Sequence, residues 1–107
     1  MLTLVIHTPD YMARHGARSF EAVLQTGKGV GYAISNADVK RLSTGCKVVL
    51  LVQDGKSKRR AEGQLVSLVP TGETTAQGIK RYDVLIAGLK PVPYSYERLN
   101  RFGIAVI

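Results

Sequence analysis

Apolar and polar positions alternate along much of the chain, and glycine, proline and clustered polar residues break the alternation at short intervals. Residues 2–6 read as a first strand. Thr8-Pro9 marks a helix start, with a hydroxyl at the N-cap and proline at the first helical position, where its missing N–H costs nothing. Gly16 ends that helix, which is therefore short, with Tyr11 and Met12 as its core contacts. Phe20, Ala22 and Leu24 then fall on one side of a strand over residues 19–25. Thr26-Gly27-Lys28-Gly29 turns, and Val30, Tyr32 and Ile34 resume the alternation, a hairpin with Lys28 at its tip. Gly31, inside the second of these strands, marks a bulge or a close approach by another group.

The stretch from residue 32 to 69 organises the rest. Tyr32-Ala33-Ile34 is short and apolar, and Ser35-Asn36-Ala37-Asp38 sets a hydroxyl three residues ahead of a carboxylate, the spacing of a capping box. Val39 and Leu42 share one face of the helix that follows, and Gly45 sits where a left-handed residue is wanted at its end. Val48-Val49-Leu50-Leu51-Val52 is too short for a membrane and rich in β-branched residues, so it predicts a buried strand. A basic loop over residues 54–60 leads to a strand over 63–69, a polar loop over 70–78 and a strand over 81–87 closed by Gly88. Lys90-Pro91-Val92-Pro93-Tyr94 is extended, since each proline biases its predecessor away from helix. Ser95 caps one or two helical turns carrying Leu99 and Phe102, with Glu97 and Arg101 four apart and Gly103 as the stop. Ile104-Ala105-Val106-Ile107 is an apolar strand that must pair with a sheet. About seven short strands with two or three helical turns make an α+β, mainly β chain. Such spacing favours one small closed or pseudo-closed barrel over residues 1–107.

Charge narrows the partners. Lys and Arg exceed Asp and Glu by 7 at neutral pH, and such a field favours nucleic acid first, acidic protein or lipid surfaces second. The single cysteine, Cys46, excludes an internal disulfide and fits a reducing cytoplasm; at the start of a strand it reads as a small buried apolar residue. His7 and His15 bracket the first helix with no cysteine or acidic cluster at ligand spacing, so neither a metal nor another cofactor is expected. No leader and no run long enough to span a bilayer is recognisable, and no membrane partner is expected.

The central residues resemble the PUA-like superfamily, including its ASCH and EVE branches. The resemblance is carried by Tyr32-Ala33-Ile34, the helix to Leu42, Gly45-Cys46-Lys47-Val48-Val49-Leu50-Leu51 and Ala61-Glu62-Gly63-Gln64-Leu65-Val66. Tyr82-Asp83-Val84-Leu85-Ile86 and Val92-Pro93-Tyr94 fit the tail of the pattern, so that it covers roughly residues 30–96. It implies a pseudo-barrel that binds RNA or modified nucleotides beside its first helices. The EVE branch commonly lines its nucleotide pocket with tryptophan or paired aromatics, and this chain has no tryptophan. The resemblance therefore carries backbone binding, which needs cations and shape, further than base recognition.

Lys56, Lys58, Arg59 and Arg60 are the densest cationic cluster, suited to lie along a phosphate backbone or to form a solvated hairpin tip. Lys28, Lys40, Arg41 and Arg81 extend the candidate basic face. Tyr94 and Tyr96, beside prolines and a cap, are the candidate stacking platforms, whereas Tyr32 and Tyr82 fall in phase with core residues. The glycines at 27, 29 and 31 lack phosphate-loop spacing, and only the fold could bring Glu62 and Asp83 together as paired carboxylates. No catalytic residue is identified. The function expected is a nucleic-acid-binding module for RNA, or modified or single-stranded DNA. A barrel docking an acidic protein is the alternative, and a small hydrolase comes third.

Overall fold

Val48 to Val52 lie in strand β3 (Lys47–Val52), and all five side chains are buried. A strand covered on both faces loses its in–out alternation, which is why this run is continuously apolar. The other strands are β1 (Thr3–His7), β2 (Lys28–Ala33), β4 (Arg59–Thr74), β5 (Lys80–Val92) and β6 (Gly103–Val106). They form one sheet in the order β2-β5-β4-β3-β1-β6, curled into a half-barrel. Strand β1 runs parallel to β3, and every other pairing is antiparallel. Among the described residues, two short helices, α1 (Phe20–Thr26) and α2 (Asn36–Arg41), and a 3-10 turn at Asp10–Met12 accompany the sheet of this mainly β fold. The computed structural model describes residues 2–12, 16–56, 58–99 and 102–107, Met12 by its backbone alone. The Met12 side chain, His15 and the Glu97–Arg101 pair lie outside the described residues.

The concave face holds the main core. Leu4, Ile6, Val48, Leu50 and Val52 meet Phe20 and Val23 of α1 and the inward residues of β4 and β5. On the convex face Val5, Val49 and Leu51, with Ala105 beside Val5 in β6, are covered by Tyr94 and Leu99.

Residues 19–25, expected as a strand, form α1 with its N-cap. The Ser19 hydroxyl accepts the Ala22 N–H at 3.1 Å, and Gly27, at φ 68°, closes the helix by donating to Val23 O at 2.8 Å. Phe20 and Val23, three apart, are the buried pair. The segment fits period 3.6 through Phe20, Val23 and Leu24 as well as period two through Phe20, Ala22 and Leu24, and the two caps decide. The expected hairpin with Lys28 at its tip is therefore a helix–strand junction.

Strands β4 and β5 are longer than expected, 16 and 13 residues, and pair from Arg60↔Val92 to Thr74↔Lys80. The polar loop expected over 70–78 contracts to a turn, in which Thr75 N–H donates to Ile79 O at 2.8 Å. Pro70 and Pro91 sit inside these strands because each lies where its strand has one neighbour. The β3 ladder leaves β4 at Gln64, and the β2 ladder reaches only Leu85 of β5. A missing N–H on the unpaired edge breaks no ladder bond.

Gly63 lies where β4 and β5 change register; a Cβ there would meet Ala87 O at 2.8 Å and Leu89 Cα at 3.0 Å. Those atoms are backbone and cannot swing aside. Gly63→Ala is expected to cost about 1–3 kcal/mol, the usual range for overpacking. Urea unfolding measures it, and an unchanged midpoint would contradict the close approach.

The helical turns expected from Ser95 are absent from described residues 93–99. Gln53 takes both backbone groups of Glu97, Nε2 donating to Glu97 O at 2.7 Å and Oε1 accepting from Glu97 N at 3.0 Å. Arg60 Nη1 donates to Ser95 O at 3.2 Å. A backbone bonded sideways in this way has no donors or acceptors left for a helix. The apolar C-terminal run pairs as expected, β6 against β1, with reciprocal Thr3–Ile107 bonds of 2.8 and 2.9 Å.

Candidate functional site

The half-barrel leaves a seam. β2 and β6 are the two ends of the strand order, and they approach each other without a ladder among the described residues. A cavity of about 450 Å³ opens there, walled by His7 at the end of β1, Gly31 and Tyr32 of β2 and Ile104 of β6.

The β2 wall is a bulge, one of the two readings of Gly31. Register shifts between Gly29 and Tyr32, and Gly31 adopts φ 66°, a conformation costing other residues about 1–2 kcal/mol. Its N–H donates to Asp83 Oδ1 at 2.9 Å. Its carbonyl accepts from Arg81 Nη1 at 2.8 Å and Arg18 Nη2 at 3.2 Å, while Arg18 Nε donates to Val30 O at 2.9 Å. A Cβ at Gly31 would stand 2.8 Å from Arg18 Nη2, so only glycine lets that guanidinium lie across the bulge.

Aromatic rings complete the cavity. Tyr11, expected in the core, is 76% exposed at its rim, and Phe102 is 48% exposed. The His7 ring lies 4.8 Å from that of Phe102, tilted by 46°. The buried Tyr32 hydroxyl has no hydrogen-bond partner among the described residues, and burial pushes its pKa up to about 12 against the opposing pull of Arg18. It is a neutral phenol at physiological pH. Helix α2 reaches the cavity through Ser35, whose hydroxyl accepts the Asp38 N–H at 3.2 Å, and through Asp38 itself.

The ten residues expected to bind distribute unevenly. Arg81 lines the cavity. Arg41 stands beside it, 3.5 Å from Asp38, and Lys40 is exposed on the same helix. Lys28 pairs with Asp83 at 3.5 Å, the carboxylate that holds the bulge. Lys56 and Lys58 are exposed in the loop before β4. That loop packs on the 3-10 turn carrying Tyr11, since Asp10 N–H donates to Asp54 Oδ2 at 3.0 Å and Gly55 abuts the Asp10 side chain.

Arg59 and Arg60, expected in that loop, open β4 instead, and successive strand residues point to opposite faces. Arg59 pairs with Glu21 and lies 4.5 Å over the Phe20 ring. Arg60 is only 7% exposed and donates to Glu62 and Glu97, each at 2.9 Å. Burial works against its charge, yet the two carboxylates outweigh it and raise its pKa. Burial likewise disfavours the Glu62 charge, but Arg60 and Lys47 outweigh it and lower that pKa. Tyr94 packs on the convex face, and Tyr96 is 67% exposed.

Arg18, Tyr11 and Phe102 carry no binding signal of their own in the sequence; the one pointer to them is Gly31, with its expected bulge or close approach. Among the described residues no three of His, Cys, Asp and Glu gather as a metal site, and no helix is long and apolar enough to cross a membrane. Comparison with known proteins finds no family model that matches the chain and no curated protein that matches it.

Proposed function

We propose that the protein binds nucleic acid, RNA foremost, through the seam cavity and the basic loop beside it. The observation that carries this reading is two guanidinium groups and exposed aromatic rings around one cavity. Cations suit phosphates and ring faces suit bases. An acidic protein would use the cations and leave Tyr11 and Phe102 without a role. Membership of the PUA-like superfamily, in its ASCH or EVE form, is part of the proposal. It is supported by a curled sheet with the 3-10 turn and helix α2 at the cavity, since the resemblance implies RNA binding beside the first helices. A reducing cytoplasm is the compartment proposed with it.

The test is binding of a short single-stranded RNA at three salt concentrations. Wild type is expected to bind near ~1 µM at low salt, the tight end of non-specific affinities. A Lys56→Ala, Lys58→Ala variant keeps its fold, because neither side chain is buried or ion-paired among the described residues. Its log-affinity against log-salt slope should flatten by about 0.7 for each phosphate that is no longer neutralised. Tyr11→Ala should weaken binding by about 1–3 kcal/mol with little change of slope. Absence of any affinity for RNA or DNA at low salt rejects the reading in favour of an acidic partner.

A further inference from the structure

We infer that Arg18 and Arg81 seat a phosphomonoester, so that the cavity takes a phosphorylated strand end or a free nucleotide rather than the middle of a strand. The shared acceptor is the starting point. Both side chains donate to Gly31 O, at 2.8 and 3.2 Å, which holds two guanidinium groups side by side. Like charges this close repel, and a carboxylate between them is the usual remedy. None is there. All 8 Asp and Glu of the chain are among the described residues, and none pairs with Arg18 or Arg81. The two acidic groups nearby are committed elsewhere, Asp83 to Lys28 and the Gly31 N–H, Asp38 to Arg41.

A single carbonyl dipole therefore stands where two cations demand a full anionic charge. Arg18 gives one further N–H to Val30 O, and the remaining donors of both forks have no acceptor among the described residues. Both side chains line the cavity. A diester within a strand offers one negative charge. A phosphomonoester offers about 1.5 to 2 at neutral pH and three acceptor oxygens, which two planar forks can grip together. The cavity, about 450 Å³, falls in the range of sites for single small molecules. The inference rests on the nucleic-acid reading for the base alone; the phosphate seat is separable from it.

The experiment titrates the full chain with four probes: one short RNA bearing a 5′-phosphate, a 3′-phosphate or hydroxyl ends, and adenosine 5′-monophosphate. Wild type is compared with Arg18→Gln, chosen because Arg18 is exposed and its loss spares the core. A phosphorylated end should bind about ten- to a hundredfold tighter than the hydroxyl-ended strand, the scale of hydrogen bonds to a charged group. Arg18→Gln should remove most of that preference, while the hydroxyl-ended strand weakens only by the loss of one cation and shows a salt slope about 0.7 flatter. A thermal melt checks the variant's fold, and Arg18→Lys, which keeps the charge and loses the fork, replaces it if it melts early. Monophosphate binding as tight as the phosphorylated strand supports the seat with a free nucleotide as ligand; a preference confined to strands supports it with an end. Monophosphate binding without strand binding keeps the seat and rejects the nucleic-acid reading. Equal affinity for phosphorylated and hydroxyl ends, without monophosphate binding, overturns the seat and leaves nucleic-acid binding standing. A full preference persisting in the folded variant also overturns it, and silence from all four probes removes both.

Discussion

Val49→Asp is expected to abolish the folded state. Val49 is buried in β3, in the middle of the six-stranded order, on the face covered by Tyr94 and Leu99. Val49 stands opposite Glu62 in the β3–β4 register, and the cations on that face, Lys47 and Arg60, are already paired with Glu62 and Glu97. The new charge is either buried facing Glu62, with no uncommitted cation beside it, or protonated, and either route costs several kcal/mol, of the same order as the whole stability of a small domain, about 5–15 kcal/mol. Circular dichroism of the variant should show loss of the β signal at room temperature. A cooperative melt near that of wild type would mean that the convex face is not closed over β3.

Arg60→Ala is expected to be the next most damaging, at about 2–3 kcal/mol in chemical unfolding. The guanidinium bridges two carboxylates and the Ser95 carbonyl, and it is the side chain that joins β4 to the segment over 93–99. Its removal strands Glu97 and leaves Glu62 with Lys47 alone; both carboxylates are partly exposed and recover some hydration, so the cost stays below that of a fully buried pair. Arg60→Lys should restore a fraction only, because an ammonium cannot fork across three acceptors. The pH profile has a definite sign. The Glu62 pKa is lowered by folding, so its contribution is present above the unfolded value, about 4.3, and is lost as pH falls through the folded value. The gap between wild type and Arg60→Ala should therefore narrow below about pH 4. A gap independent of pH would show that packing of the Arg60 stem, and not its charge, holds the segment.

Local chemistry is legible where one residue decides the outcome. The Ser35 cap follows from a side chain acting on its own backbone, the Gly31 bulge from the lack of one, and the buried run through β3 from its unbroken apolarity. Legibility ends where partners distant in sequence decide. Ser95 has the chemistry of a cap, yet Gln53 claims the backbone two residues on. Pro70, Gly72, Gly88 and Pro91 punctuate like loop residues, and whether a strand tolerates them depends on how many neighbours it has there. The charge density along 56–60 carries no direction, and the strand sends Arg59 to Phe20 and Arg60 to Glu97. The cavity is the least legible feature, because His7, Arg18, Gly31, Arg81 and Phe102 converge only once the strand order is known.

That order also bears on how fast the chain can fold. β1 is flanked by β3 and by β6, so its two ladders close loops of very different length, and the Thr3–Ile107 pair spans nearly the whole chain. Sheets dominated by such distant pairings form in about milliseconds to seconds rather than microseconds, since the entropy of loop closure is given up before any pairing offsets it. Until β6 docks, Leu4, Val5 and Ile6 present an unpaired apolar edge, the kind that captures another unfinished chain. Refolding at high protein concentration is thus a contest between β6 and its neighbours' strands for the same edge.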